Sequence, residues 1–152
     1  MTKAKLLDLL EITKIETIRC FDLIPSDLEK KYGVGKWNVK QILNHLADAE
    51  TVLYQRIRRV ISIPNQTVYG FDQDAWEQKL NYIDFPLTIN KNIYSSVRES
   101  IIYLVEKHYD IHKDNKFIHN ETGIRTLKDE FEKVGLHNES HLKQIALALK
   151  PK

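Results

Sequence analysis

Cysteine is almost missing from this sequence. Cys20 is the only one, so no intramolecular disulfide can staple the fold, which fits a reducing interior. Glycine and proline are also scarce, at 5 and 4 residues, and with so few helix breakers the composition leans helical. No apolar run is long enough to span a bilayer, so no membrane partner is expected. Met1 to Lys5 leads into an amphipathic pattern with Asp8 and Glu11 rather than an apolar leader, so the expected location is the cytoplasm. Charge of one sign is lacking too: 23 Lys and Arg face 21 Asp and Glu, and a formal net charge of +2 gives no bulk attraction for nucleic acid. There is no Gly-rich phosphate loop and no Ser/His/Asp signature.

What is present is ordinary globular material: 152 residues, 42% hydrophobic, enough for one domain over residues 1–152 with its own core. Helical periodicity marks four long segments. The first runs from about residue 3 to Leu23, with Leu6, Leu7, Leu9, Leu10, Ile15 and Ile18 at roughly helical spacing. The second opens with Asn38 as N-cap and Gln41 as its capping-box partner, and ends near Ser62 before Pro64. The third covers about Thr88 to Lys107, with Ile89, Ile93, Val97, Ile101, Leu104 and Val105 as its stripe. The fourth is opened by Thr126 and Asp129 and runs to about Leu149; Gly135 inside it allows another helix to come close. Residues 64–86 are too long for a tight turn and suit a crossover to the other end of a bundle. Phe117 to Asn120 reads as extended. The expected fold is all-α, a four-helix bundle with a long crossover between its second and third helices.

Six histidines are candidates for chemistry. His137 and His141 are four residues apart, and projected at about 100° per residue they fall about −60° and about −20° from Val134, on the apolar side of the last helix. Two such imidazoles either share one metal ion or each find a hydrogen-bond partner in the core. His45 lies at the margin of the second helix's stripe beside the small Ala49, and Asp48 three residues on is placed to orient its ring. His108 and His112 sit in a charged stretch that reads as a solvated helix end, and His119 in a loop. Arg56, Arg58 and Arg59 are either a solvated face or a clamp for an anionic substrate. Cys20 has no basic neighbour in sequence and reads as a packed residue rather than a nucleophile.

Three stretches carry a resemblance. The run from Trp37 to Glu50, with Trp37-Asn38-Val39 at its start and His45-Leu46-Ala47-Asp48 within it, resembles the second helix of the DinB-like superfamily. Gly70-Phe71-Asp72-Gln73-Asp74-Ala75-Trp76 is similar to a segment of one of its branches, and Thr126-Leu127 followed by His137, His141, Leu142, Gln144 and Ile145 is similar to its last helix. The resemblance implies an up-down-down-up bundle and a divalent metal, zinc or nickel, on His45, His137 and His141. It also implies a homodimer and a small-molecule substrate, in some relatives together with a low-molecular-weight thiol cofactor. The function expected is that of a metal-dependent transferase, moving a thiol to an electrophile, or of a hydrolase. The alternative is a metal-binding or stress-response bundle without catalysis.

Overall fold

The computed structural model describes residues 1–151. Four long helices form a bundle: α1 (Lys3–Phe21), α3 (Val39–Ser62), α5 (Leu87–His112) and α6 (Leu127–Leu149). Two short helices, α2 (Pro25–Leu28) and α4 (Gln73–Lys79), lie in the connections. Local chemistry sets the helix starts. Asn38 and Gln41 bond each other's backbone N–H groups at 2.8 Å, and Thr126 and Asp129 form the same reciprocal box. The first helix ends at Phe21 rather than Leu23, and Pro25 opens α2 at its first position.

Cross-helix bonds give the helix directions. Lys3 of α1 meets Asp110 of α5 and Lys91 meets Asp22, so these two helices run oppositely. Asn44 pairs with Asn90 and Glu50 with Arg98, so α3 and α5 run the same way. Met1 reaches Glu132, and Thr17 reaches Asn138, so α1 and α6 are parallel. Arg56 meets Glu130, which sets α3 against α6. The order is up-down-down-up, and residues 63–86 carry the chain back between the two parallel helices. That crossover contributes β1 (Thr67–Val68), which pairs in parallel with β2 (Lys116–His119); β2 pairs antiparallel with β3 (Gly123–Thr126). Gly123 turns this hairpin at φ +77°, a conformation that suits glycine. Among the described residues no helix is long and apolar enough to cross a membrane.

Two expectations are corrected. Helix α5 continues past Lys107 to His112, because Tyr109 is buried and its hydroxyl donates to the Met1 carbonyl at 3.0 Å, so the extra turn packs on α1. The buried faces of α1 and α5 coincide only in part with the apolar stripes: Leu6, Leu10, Ile101 and Val105 are buried as spacing predicts, but other stripe positions are not. Ile15 is 49% exposed and Ile89 also 49%, whereas Thr13, Thr17, Asn90 and Arg98 are buried.

Those buried polar groups form one network. All five N–H groups of Arg98 are used. Nε and Nη2 donate to the two Glu50 carboxylate oxygens at 2.5 and 2.9 Å, and Nη2 also donates to Asn138 Oδ1 at 2.8 Å. Nη1 donates to the Leu10 carbonyl at 3.0 Å and to Thr13 Oγ1 at 2.8 Å. One guanidinium thus touches every long helix. Burial alone works against its charge; the Glu50 carboxylate more than offsets this and holds Arg98 above its ordinary pKa. Gly135 lets α6 approach α1 nearby, since a Cβ there would lie 2.7 Å from Leu9 Cδ2. Removing one member of a buried ion pair strands the other, at a cost of about 3–5 kcal/mol. Urea unfolding of Arg98→Met is therefore expected to show a loss of that size, with most of it recovered when Glu50→Leu is added. A single variant within about 1 kcal/mol of wild type would remove the network from its structural role.

Candidate metal centre

Three histidines meet where α3 faces α6. His45 projects from the second turn of α3; His137 and His141 are stacked one turn apart on α6. Their Nε2 atoms converge. His137 Nε2 lies 3.1 Å from that of His45 and 3.2 Å from that of His141. Two imidazoles bound at 2.0–2.1 Å to one ion at near-tetrahedral angles have nitrogens about 3.3 Å apart, so the triad has the spacing of a metal ligand set. These are the only three His, Cys, Asp or Glu side chains among the described residues whose ligand atoms gather this way, all within 4.8 Å of one another.

The site keeps its imidazoles neutral. His45 is only 1% exposed. Burial first, then the proximity of His141 and His137, pushes its pKa down to about 2. Burial, His141 and Lys133 push His137 down to about 3. Burial also lowers His141, against the Gln144 hydrogen bond that raises it. That bond sets a tautomer. Gln144 Oε1 lies 2.9 Å from His141 Nδ1 and accepts its proton, which leaves the Nε2 lone pair free toward the other two rings.

Asp48 does not orient His45, contrary to expectation. Its carboxylate accepts a short hydrogen bond from the Tyr82 hydroxyl, and the buried Nδ1 of His45 has no partner. Tyr82 sits in the crossover, and Asn44 on α3 also donates to its carbonyl at 2.8 Å, so this face of α3 holds the crossover rather than the ring. Aromatic rings take over the positioning. Trp37 packs against His45 with centroids 5.1 Å apart, Phe71 stacks on it at 6.0 Å, and Trp76 backs Phe71 at 4.8 Å.

The remaining candidates lie outside the triad. His108 and His112 stack on each other at the end of α5, with centroids 5.5 Å apart. His119 is buried in β2, where its Nδ1 accepts from the Glu121 backbone N–H at 3.2 Å. Burial and Glu16 raise the Cys20 thiol pKa, which fits a packed residue and not a nucleophile. Arg58 and Arg59 are exposed, whereas Arg56 is buried and paired with Glu130 at 3.0 Å.

Three hollows touch triad residues; one, of about 450 Å³ and lined by Arg125, Asp129, Lys133 and Ser140, meets His137 alone, and two others flank the imidazoles. Of these two, one, of about 190 Å³, is lined by His45, Ala49, Arg56, Phe71, Lys133 and His137. The other, of about 300 Å³, is lined by His141 and Gln144 together with Trp37, Tyr32, Lys36 and Asp74. Gln73 lines both. Lys133 was not among the residues that sequence spacing singled out, although it lies one turn before His137 on the same face of α6.

Depressed histidine pKa values make the metal-free fold sensitive to acid. The unfolded chain binds protons at these histidines below about pH 6.5 and the folded chain does not, so stability is complete above that pH and falls below it. Each histidine contributes about 1.4 kcal/mol per pH unit within that window. Urea unfolding of the metal-free protein is expected to show stability dropping by several kcal/mol from pH 7 to pH 5, and the slope should flatten in His45→Gln/His137→Gln. An equal slope in that double variant would place the sensitivity elsewhere.

The chain is similar to known proteins over most of its length. The profile of the DinB superfamily matches residues 16–145. A protein of Oceanobacillus iheyensis named "Putative metal-dependent hydrolase" is 28% identical over 123 residues, 81% of this chain and 70% of that one. One of the same name from Halalkalibacterium halodurans is 22% identical over 123 residues, 81% of this chain and 71% of its own. The solved structure of YfiT from Bacillus subtilis, described as "a probable metal-dependent hydrolase with an unusual four-helix bundle topology", superposes with a TM-score of 0.86 at 21% identity, covering 95% of this chain and 83% of that one. With its bundle, its triad and a profile match over most of its length, the chain belongs to the DinB superfamily.

Proposed function

We propose that this protein is a metal-dependent enzyme acting on a small molecule, with one divalent cation, zinc or nickel, held by Nε2 of His45, His137 and His141. The observation that carries the reading is the convergence of three imidazole nitrogens beside a cavity with no fourth protein ligand among the described residues. Structural zinc sites close with four protein ligands, whereas catalytic ones use three and keep a position open. The cation, when bound, supplies Lewis-acid polarisation and makes a water or thiol on it more acidic. The chain's own share is to keep the rings neutral by burial, to hold the His141 tautomer through Gln144, and to shield His45 with Trp37 and Phe71.

Hydrolysis is the reaction in the relatives' names. Transfer of a low-molecular-weight thiol to an electrophile is the second reading, and the two hollows flanking the imidazoles favour it. One opens on His45 and His137, the other on His141, so each has room for one reactant. Hydrolysis needs no second hollow, because its second reactant is water. A fourth protein ligand would favour a non-catalytic role, but Asp48 is engaged by Tyr82, and His119 lies outside the cluster of converging nitrogens. The homodimer belongs to the same proposal on the strength of the family resemblance, and the cytoplasmic location on that of the single cysteine and the amphipathic start of the sequence.

The expected result of metal analysis is one equivalent of zinc or nickel per wild-type chain, lost in His141→Ala and unchanged in the control His112→Ala. Gln144→Ala should weaken binding by about 10–100-fold, the usual effect of removing a group that orients a ligand. A wild-type protein that neither carries nor takes up either metal would end this reading.

A further inference from the structure

The hollow beside His45 and His137 has a cationic wall that the proposed metal centre does not use. Arg56 lines it and is 3% exposed. Its Nη1 donates to Glu130 at 3.0 Å and its Nη2 to the Tyr69 carbonyl at 2.5 Å, while its Nε–H has no acceptor. A buried guanidinium N–H left without an acceptor is costly unless a group from outside the chain supplies one. Lys133 lines the same hollow from α6 and pairs with no carboxylate among the described residues. A second buried donor lies in this corner. His119 Nδ1 accepts from the Glu121 N–H, so the proton sits on Nε2, which is buried and unpartnered. Burial, then Arg56 and Lys133, push this imidazole's pKa down, as expected where two cations face it. The opposing charges are Glu130, already paired with Arg56, and Glu121. Glu121 also lines the hollow, with its carboxylate packed so closely over Gly70 that a Cβ there would lie 2.6 Å from Oε1.

We propose that this hollow is an anion subsite, in which the Arg56 guanidinium and the Lys133 ammonium seat a carboxylate or phosphate group of the small molecule acted on at the triad. The hollow, of about 190 Å³, runs from Arg56 and Lys133 to His45 and His137, so a small molecule whose anionic group sits at the cationic wall reaches the triad. The shared chemistry is an anionic oxygen group, which a planar guanidinium edge and an ammonium recognise together. The role of the subsite in catalysis rests on the metal-centre reading; binding of the anion does not.

The test is a titration of the full-length, metal-free protein at pH 8 with inorganic phosphate and, separately, with acetate. The Arg56 Nε–H resonance is followed by two-dimensional proton–nitrogen NMR. A saturable shift with at least one anion is expected, and which one produces it tells phosphate from carboxylate. Lys133 is exposed, so Lys133→Gln should leave the melting temperature unchanged yet weaken binding roughly tenfold, the loss of one charge-assisted hydrogen bond. Lys133→Arg should bind nearly as wild type, and Glu121→Gln should bind more tightly. No saturable shift with either anion, or equal affinity in Lys133→Gln, overturns the subsite. Zinc uptake measured on the same samples separates the two readings: zinc binding without anion binding sinks only the subsite, and the reverse sinks only the metal centre.

Discussion

One guanidinium sets the geometry on which the rest of the bundle depends. Arg98 reaches α1 through Leu10 and Thr13, α3 through Glu50 and α6 through Asn138. A buried charge tolerates few arrangements, because each unmet N–H would be exposed to a low-dielectric interior. The network therefore fixes how far each helix slides along its neighbours. That register is what the triad needs. Glu50 lies on the helix that carries His45, and Asn138 is the residue after His137. Asn138 is itself held by Tyr94 and Thr17, at 2.5 and 2.9 Å. A slide of α3 against α6 would part the imidazoles and break the Arg98 bonds together.

The same burial that makes Arg98 demanding gives the triad its chemistry. Imidazoles in water are partly protonated near pH 6, and a protonated ring offers no lone pair. Here burial holds the rings neutral, and their mutual proximity adds to this for His45 and His137. Neutral rings crowded at 3.1–3.2 Å are a poor arrangement for three separate hydrogen-bonding groups and a good one for ligands of a single cation. The hollow next to them combines apolar lining from Phe71 and Ala49 with the charged side chains of Arg56, Lys133 and Glu121, the usual mixture of a small-molecule site.

Much of this was legible in the sequence, for identifiable reasons. Both capping boxes rest on local chemistry and could be read without tertiary context. Helical projection put His141 and His137 on the core side of α6, and the resemblance added His45. Apolar spacing failed where the core is polar. The α5 stripe that is actually buried runs through Tyr94, Arg98, Ile101 and Val105, and an arginine in its middle does not register as hydrophobic. On α1, Thr13 and Thr17 mislead in the same way. Asp48 was assigned to His45 from sequence proximity alone; its partner, Tyr82, is 34 residues away in the crossover. The strand β1 has two residues and no periodicity to detect. Arg56 was visible as part of a basic group, but nothing local distinguishes it from the exposed Arg58 and Arg59, because its burial depends on Glu130 and on the loop at Tyr69.

The central claim is that three imidazoles, and no other side chain of this protein, hold one divalent ion. X-ray absorption spectroscopy of the zinc-loaded protein tests it most directly. The account predicts three imidazoles at about 2.0–2.1 Å, identified by scattering from their outer ring atoms, with the remaining ligand a light atom from outside the chain. Fewer than three imidazoles, a protein carboxylate in the set, or a sulfur at about 2.3 Å from Cys20 would contradict it.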